Sequence, residues 1–145
     1  MSRKKILITG GNGYIAKSIK NSLWDKYHII APGREELDLL SSESVDAFFE
    51  GKHFDVIIHT ATVGGSRLKE EDEININYQQ ISKDKFFYDV IYNPPETNFL
   101  KNAKKYGGIT KNGKMMFIYQ AQKAFFIWHK IVPEVDNETI NLLDV

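Results

Sequence analysis

A short β-branched run, Ile6-Leu-Ile-Thr, passes without a spacer into Gly10-Gly11-Asn12-Gly13-Tyr14-Ile15-Ala16, and no other stretch limits the fold as much. The run reads as a buried strand, and Ile15, Ile19 and Leu23 then recur at helical spacing over Tyr14 to Trp24. The spacing G-x-x-G-x-x-A at such a junction has a physical meaning. Gly10 permits the tight turn, Gly13 lets the backbone approach a pyrophosphate, and Ala16 keeps helix and strand close. A helix starting there offers unpaired N–H groups and partial positive charge to phosphates. The candidate contacts in this turn are Gly10, Asn12, Gly13, Tyr14 and Ile15.

The rest of the chain continues the alternation. Tyr27–Ala31 reads as a second strand closed by Pro32-Gly33, and Leu37-Asp38-Leu39 as a short third. A helix opening at Ser42 carries Val45, Phe48 and Phe49, and Phe54 to Thr60 is a fourth strand. Phe86 to Tyr92 is a fifth strand, stopped by Asn93-Pro94-Pro95. Thr97 caps a helix ending at Tyr106-Gly107-Gly108, and Ile109-Thr110 is a brief sixth strand. Helices over Met116 to Lys130 and Glu138 to Leu143 complete the chain, the first with a Phe117, Ala121, Ala124–Phe125, Trp128 stripe expected to pack on the sheet. Six strands alternating with helices predict one α/β domain over residues 1–145, a doubly wound six-stranded parallel sheet of order 3-2-1-4-5-6.

Composition removes several classes of function. At 145 residues with 42% hydrophobic content, the chain is long enough for one core and too short for two domains. Zero formal net charge, with guanidinium only at Arg3, Arg34 and Arg67, argues against a nucleic-acid partner. The absence of cysteine excludes disulfides, thiolate nucleophiles and Cys-based zinc sites. The apolar stretch after the basic start is too short for a signal peptide, and no run reaches the ~20 residues of a membrane span. The expectation is a cytoplasmic domain without a membrane partner, able to self-associate through apolar surface on its carboxy-terminal helices.

The end of the second strand predicts which dinucleotide fits. An acid there binds the ribose 2′-hydroxyl of NAD, whereas an arginine suits the 2′-phosphate of NADP. Ala31-Pro32-Gly33-Arg34 supplies no acid at the strand end and an arginine just beyond it, so NADP(H) is expected, with NAD(H) second. Glu35 and Glu36 oppose a phosphate if they turn inward.

Two resemblances extend this reading. The pieces KILITGGNGYIA, GREELDLLSSESVDAFF and FDVIIHTATVGG, within residues 1–68, resemble extended short-chain dehydrogenases of the sugar-nucleotide epimerase and reductase type, GDP-fucose synthase and its relatives in particular. That likeness implies Arg34 at the 2′-phosphate, Asp38 and Leu39 at the adenine, and Ala61 beside the ribose. YDVIYNPPETNFLKNAKKYG and NGKMMFIYQAQKAFFIW, within residues 86–130, resemble the carboxy-terminal NADP-binding domain of shikimate dehydrogenase. By that likeness Tyr92 and Gln120 face a shikimate-like substrate and Met116 lies near the nicotinamide, although Met115 stands where the family has a glycine. Both families use a Rossmann sheet. The pair of likenesses implies an engineered chimera of two halves with a junction near residues 64–85.

No complete catalytic set is legible. Tyr119 and Lys123 have the i, i+4 spacing of a Tyr–Lys pair, but on a helix that follows the sixth strand rather than the region of the fifth. By the second resemblance the Lys–Asp pair of shikimate dehydrogenase lies on an amino-terminal domain, and no counterpart of it is expected among these residues. His28, His53, His59 and His129 show no ligand spacing, and no metal is expected. The leading reading is an NADP(H)-binding module without turnover. The alternatives are a small NADP-dependent oxidoreductase for a sugar nucleotide or a shikimate-like acid, and a structural fold that binds no cofactor.

Overall fold

The computed structural model describes residues 3–60 and 74–142. Its centre is a parallel sheet of β1 (Lys5–Thr9), β2 (His28–Ile30), β3 (Val56–His59), β4 (Phe86–Asp89) and β5 (Ile109–Lys111), in the order β2-β1-β3-β4-β5. Leu7 pairs with Ile30 on one side and Ile57 on the other, Ile57 with Phe87, and Phe87 with Thr110. Parallel strands buried on both faces need unbroken apolar runs, as these strands supply. Side chains alternate between two cores. Ile6, Ile8 and Ile58 pack with Ala16, Ile19 and Leu23 of α1 (Tyr14–Leu23). On the opposite face Leu7, Ile57 and Phe87 meet Val45 of α2 (Ser42–Phe49), Tyr78 of α3 (Tyr78–Ile81) and Phe99, Leu100 and Ala103 of α4 (Asn98–Lys105).

Among the described residues the sheet has five strands rather than six. Leu37–Leu39 is not a strand: the N–H groups of Glu36 and Leu37 both donate to the Gly33 carbonyl, winding one tight turn. Asp38 N–H then donates to Ser44 Oγ at 3.0 Å and Leu40 N–H to Asp38 Oδ1 at 3.1 Å, and none of residues 37–39 is paired in the sheet. Leu37 and Leu39 are buried all the same, as plugs from a loop. Alternating burial in a loop mimics the period of a strand.

Caps place the helices where side-chain oxygens meet orphan N–H groups. Ser41, the residue just before the helix start expected at Ser42, accepts from Ser44 N–H at 3.2 Å, and Thr97 accepts from Leu100 N–H at 3.4 Å. The last long helix, α5 (Lys114–His129), begins two residues before the expected Met116 because Asn112 Oδ1 accepts the Lys114 N–H. A final turn, α6 (Asn137–Asn141), is capped by Asp136.

The expected packing of α5 is not observed. Ile118 is its buried residue, whereas Phe117, Phe125 and Trp128 of the predicted stripe are exposed, Trp128 at 75%. Ile127, Ile131 and Val132 are exposed beside them. Among the described residues no helix is long and apolar enough to cross a membrane.

Candidate functional site

The carboxyl ends of the parallel strands converge on the turn between β1 and α1, the position where open α/β sheets bind ligands. Gly10 there has φ +71°, a backbone state that L side chains rarely adopt. Its carbonyl accepts the Gly13 N–H at 2.8 Å, closing the turn. Gly13 is the N-cap of α1, so it can offer no capping side chain, and the first turn of α1 carries no acidic residue. The first amides of α1 therefore keep their partial positive charge for an outside anion. Tyr14 is 88% exposed at this rim, while Ala16 is fully buried against the strands, the close helix–strand approach expected of it.

Gly11, to which the sequence reading gave no role, locks this turn to β2. Its N–H donates to the Pro32 carbonyl at 2.9 Å, and a Cβ there would overlap the Ala31 carbonyl. Gly113 plays the same part at the other end of the site. Its N–H donates to the Ile91 carbonyl at 2.9 Å, and a Cβ would overlap the Val90 carbonyl. This contact sets the start of α5, and with it the position of half-buried Met116, three residues on. Asn112 Nδ2 adds a bond to the Pro95 carbonyl at 2.8 Å.

The loop after β2 is more acidic than the strand end implied. Arg34 lies in the expected place but is 74% exposed and pairs with Asp38 at 3.6 Å, so both residues expected to face the cofactor face each other. Leu39 is buried in the core. Glu36 folds back so that its Oε2 accepts the Gly33 N–H at 3.0 Å. Asn12 Nδ2 and Glu35 Oε2 converge on the same glycine, 2.6 and 2.8 Å from where a Cβ would stand.

Beneath the turn lies a polar row absent from the candidate list. Thr9, His59 and Asp89 are in register across β1, β3 and β4, and all three are buried. Thr9 Oγ1 and His59 Nδ1 are 2.9 Å apart, and the Thr60 hydroxyl donates to the Thr9 carbonyl at 2.6 Å. Asp89 accepts from the Ile91 N–H at 3.0 Å and from the Thr97 hydroxyl at 2.7 Å, joining β4 to the cap of α4. His59 Nε2 has no hydrogen-bond partner among the described residues and its ring lies 5.1 Å from that of Phe99. Burial pushes the His59 pKa down, against a smaller upward pull from Asp89. The sequence signal for this row was the polar residue ending each of three apolar strands.

Tyr92 stacks on Phe117 with ring centres 4.5 Å apart, whereas Gln120 is exposed on α5. Tyr119 and Lys123 are exposed on the same helix, and Lys123 Nζ lies over the Phe126 ring at 5.2 Å. Ala61 and much of the expected junction lie outside the described residues. Two surface hollows lie away from the turn, one of about 440 Å³ around Arg3, Lys20 and Trp24, the other of about 970 Å³ along α2.

With this geometry in place, the family model described as the RmlD substrate binding domain matches residues 4–80. The chain belongs to this family. A shikimate dehydrogenase (NADP(+)) of Pelagibacter ubique is 60% identical over 154 residues, covering 100% of this chain and 56% of that protein. Another, from Methanococcus aeolicus, is 40% identical over 93 residues, 64% of this chain and 33% of its own length. A crystal structure of a shikimate dehydrogenase with NADP+ superposes at TM-score 0.71 and 26% identity, over 99% of this chain and 54% of that one. A quinate dehydrogenase from Corynebacterium glutamicum with NAD, at TM-score 0.69 and 18% identity, shares the fold. This chain therefore spans about half of the first relative and of the solved enzymes.

These findings correct the chimera reading. A single relative aligns along the whole chain, and one enzyme fold covers both halves, so no engineered junction and no separate short-chain-dehydrogenase segment is called for. The chain is a Rossmann-like domain related to the NADP-binding domain of shikimate dehydrogenase.

Proposed function

We propose that this chain is the dinucleotide-binding half of a shikimate dehydrogenase, holding NADP(H) at Gly10–Ala16. The observation that carries this reading is 60% identity to an NADP-named shikimate dehydrogenase along the entire chain. The turn fits the group independently: Gly10 has a positive φ, and α1 starts without a capping side chain or an acid in its first turn. Gly10, Asn12, Gly13, Tyr14 and Ile15 would hold the pyrophosphate, and Arg34, Asp38 and Ala61 the adenosine end. Met116 would border the nicotinamide, and Tyr92 and Gln120 the substrate. Bound NADP(H) supplies the hydride acceptor or donor. The chain's own residues bind and orient it, while proton transfer and most substrate contacts belong to the remaining half of such an enzyme.

Titration of the chain with NADPH and NADH, followed by nicotinamide fluorescence, tests this. NADPH is expected to saturate, and Gly13→Val to abolish saturation by both cofactors, because the added side chain crowds the Gly10 carbonyl, already 3.1 Å from a Cβ at Gly13. Failure of both cofactors to saturate at millimolar concentration would overturn the reading. Shikimate turnover by the chain alone is expected to be absent, since general acid–base groups and substrate orientation each contribute large factors. NADPH formation from shikimate that Gly13→Val abolishes would contradict that division of labour.

A further inference from the structure

Resting on the cofactor site just described, we propose that Glu36 sets cofactor discrimination, its carboxylate opposing the 2′-phosphate of NADP(H) at the end of β2. The Pro32–Glu36 turn lies directly against the phosphate turn, joined by the 2.9 Å bond from Gly11 N–H to the Pro32 carbonyl. The ribose edge of a dinucleotide bound to Gly10–Ala16 comes to the end of β2, where acid or arginine decides between hydroxyl and phosphate. Here one guanidinium meets three carboxylates. Arg34 is paired with Asp38, Glu35 Oε2 lies beside Gly33, and Glu36 Oε2 accepts the Gly33 N–H at 3.0 Å. That amide N–H is a donor to anions just beyond β2, and the Glu36 carboxylate already accepts from it. A 2′-phosphate arriving there must displace a carboxylate or remain beside it, and a 2′-hydroxyl meets no such repulsion.

The Glu36 contact also has the form of a capping box, an acceptor three residues on reaching back to the first amide of a turn. Glutamine serves that structural role as well as glutamate does, because its carbonyl oxygen accepts the same N–H. Glu36→Gln therefore keeps the clasp and removes the charge. Glu36→Ala removes both and frees the amide.

The experiment is titration of the full chain and both variants with NADPH and NADH, at low and high salt, with thermal melting as a check on the fold. Glu36→Gln is expected to melt with the unaltered chain and to bind NADPH about three- to fivefold more tightly, the scale of an exposed charge interaction. NADH affinity should stay within about twofold, and the NADPH gain should shrink in high salt as the repulsion is screened. Glu36→Ala is expected to tighten NADPH as well, at a small cost in melting temperature. An NADPH affinity that Glu36→Gln leaves unmoved overturns the proposal while the cofactor site stands. So does a parallel loss of NADH, which would make Glu36 a ligand for the ribose hydroxyl. Saturation of the unaltered chain by neither cofactor overturns the site and this proposal together.

Discussion

Replacing Gly11 by alanine tests how the phosphate turn is held. The new Cβ would lie 2.5 Å from the Ala31 carbonyl carbon and 2.8 Å from the Pro32 carbonyl oxygen. Carbon atoms in contact sit about 3.5–4.0 Å apart, so the turn and the end of β2 must separate by about 1 Å. Overpacking of this kind costs about 1–3 kcal/mol. The separation also strains the 2.9 Å bond from Gly11 N–H to Pro32, worth roughly 1 kcal/mol. The expected loss is about 2–4 kcal/mol, or roughly 8–15 °C in Tm at this chain length. Urea unfolding followed by far-ultraviolet circular dichroism measures it, with the slope m expected to be unchanged. Gly13→Ala is the control: its Cβ meets the Gly10 carbonyl at 3.1 Å and nothing else within 4 Å, so it should cost under about 1 kcal/mol. A Gly11→Ala chain within about 0.5 kcal/mol of the original would refute the claim that this contact fixes the turn to β2.

The buried His59 predicts pH dependence. Its pKa is lowered by burial, so the unfolded chain binds the extra proton more readily, and stability falls as pH drops below about 6.5 toward the folded value. His59→Asn should flatten the denaturation midpoint between about pH 7 and 5 relative to the unaltered chain; parallel curves would exclude His59 as the cause. Phe87, fully buried and packed edge-on to Phe99 at 5.6 Å, should cost about 3–5 kcal/mol when replaced by alanine, read from the urea midpoint. The exposed apolar surface of α5 predicts concentration-dependent self-association by sedimentation, reduced by Trp128→Ser; a sedimentation coefficient independent of concentration and of this substitution would rule it out.

Much of this protein was settled locally. Ile6–Thr9, Ile57–Ile58 and Phe87 read as buried parallel strands because no polar residue interrupts them, and their order around β1 followed from the alternation with helices. The tight turn between β1 and α1 was legible for the same reason, since a positive φ and a missing Cβ are properties of glycine itself. Tertiary structure decided what depends on partners distant in the chain. Leu37 and Leu39 have the alternation of a strand, yet the Gly33 carbonyl and Ser44 hydroxyl take the backbone donors that a sheet would need. Arg34 reads as a free cation along the sequence, and only the structure sets Asp38 beside it and Glu36 on the Gly33 amide. The row Thr9–His59–Asp89 exists only once three strands are set in register, and which apolar residues of α5 stay exposed is decided by what the rest of the fold covers. Backbone preference and hydrophobic period act over a few residues, so sequence determines them. Which donor meets which acceptor, and which apolar face finds cover, is fixed by contacts between segments that only folding brings together.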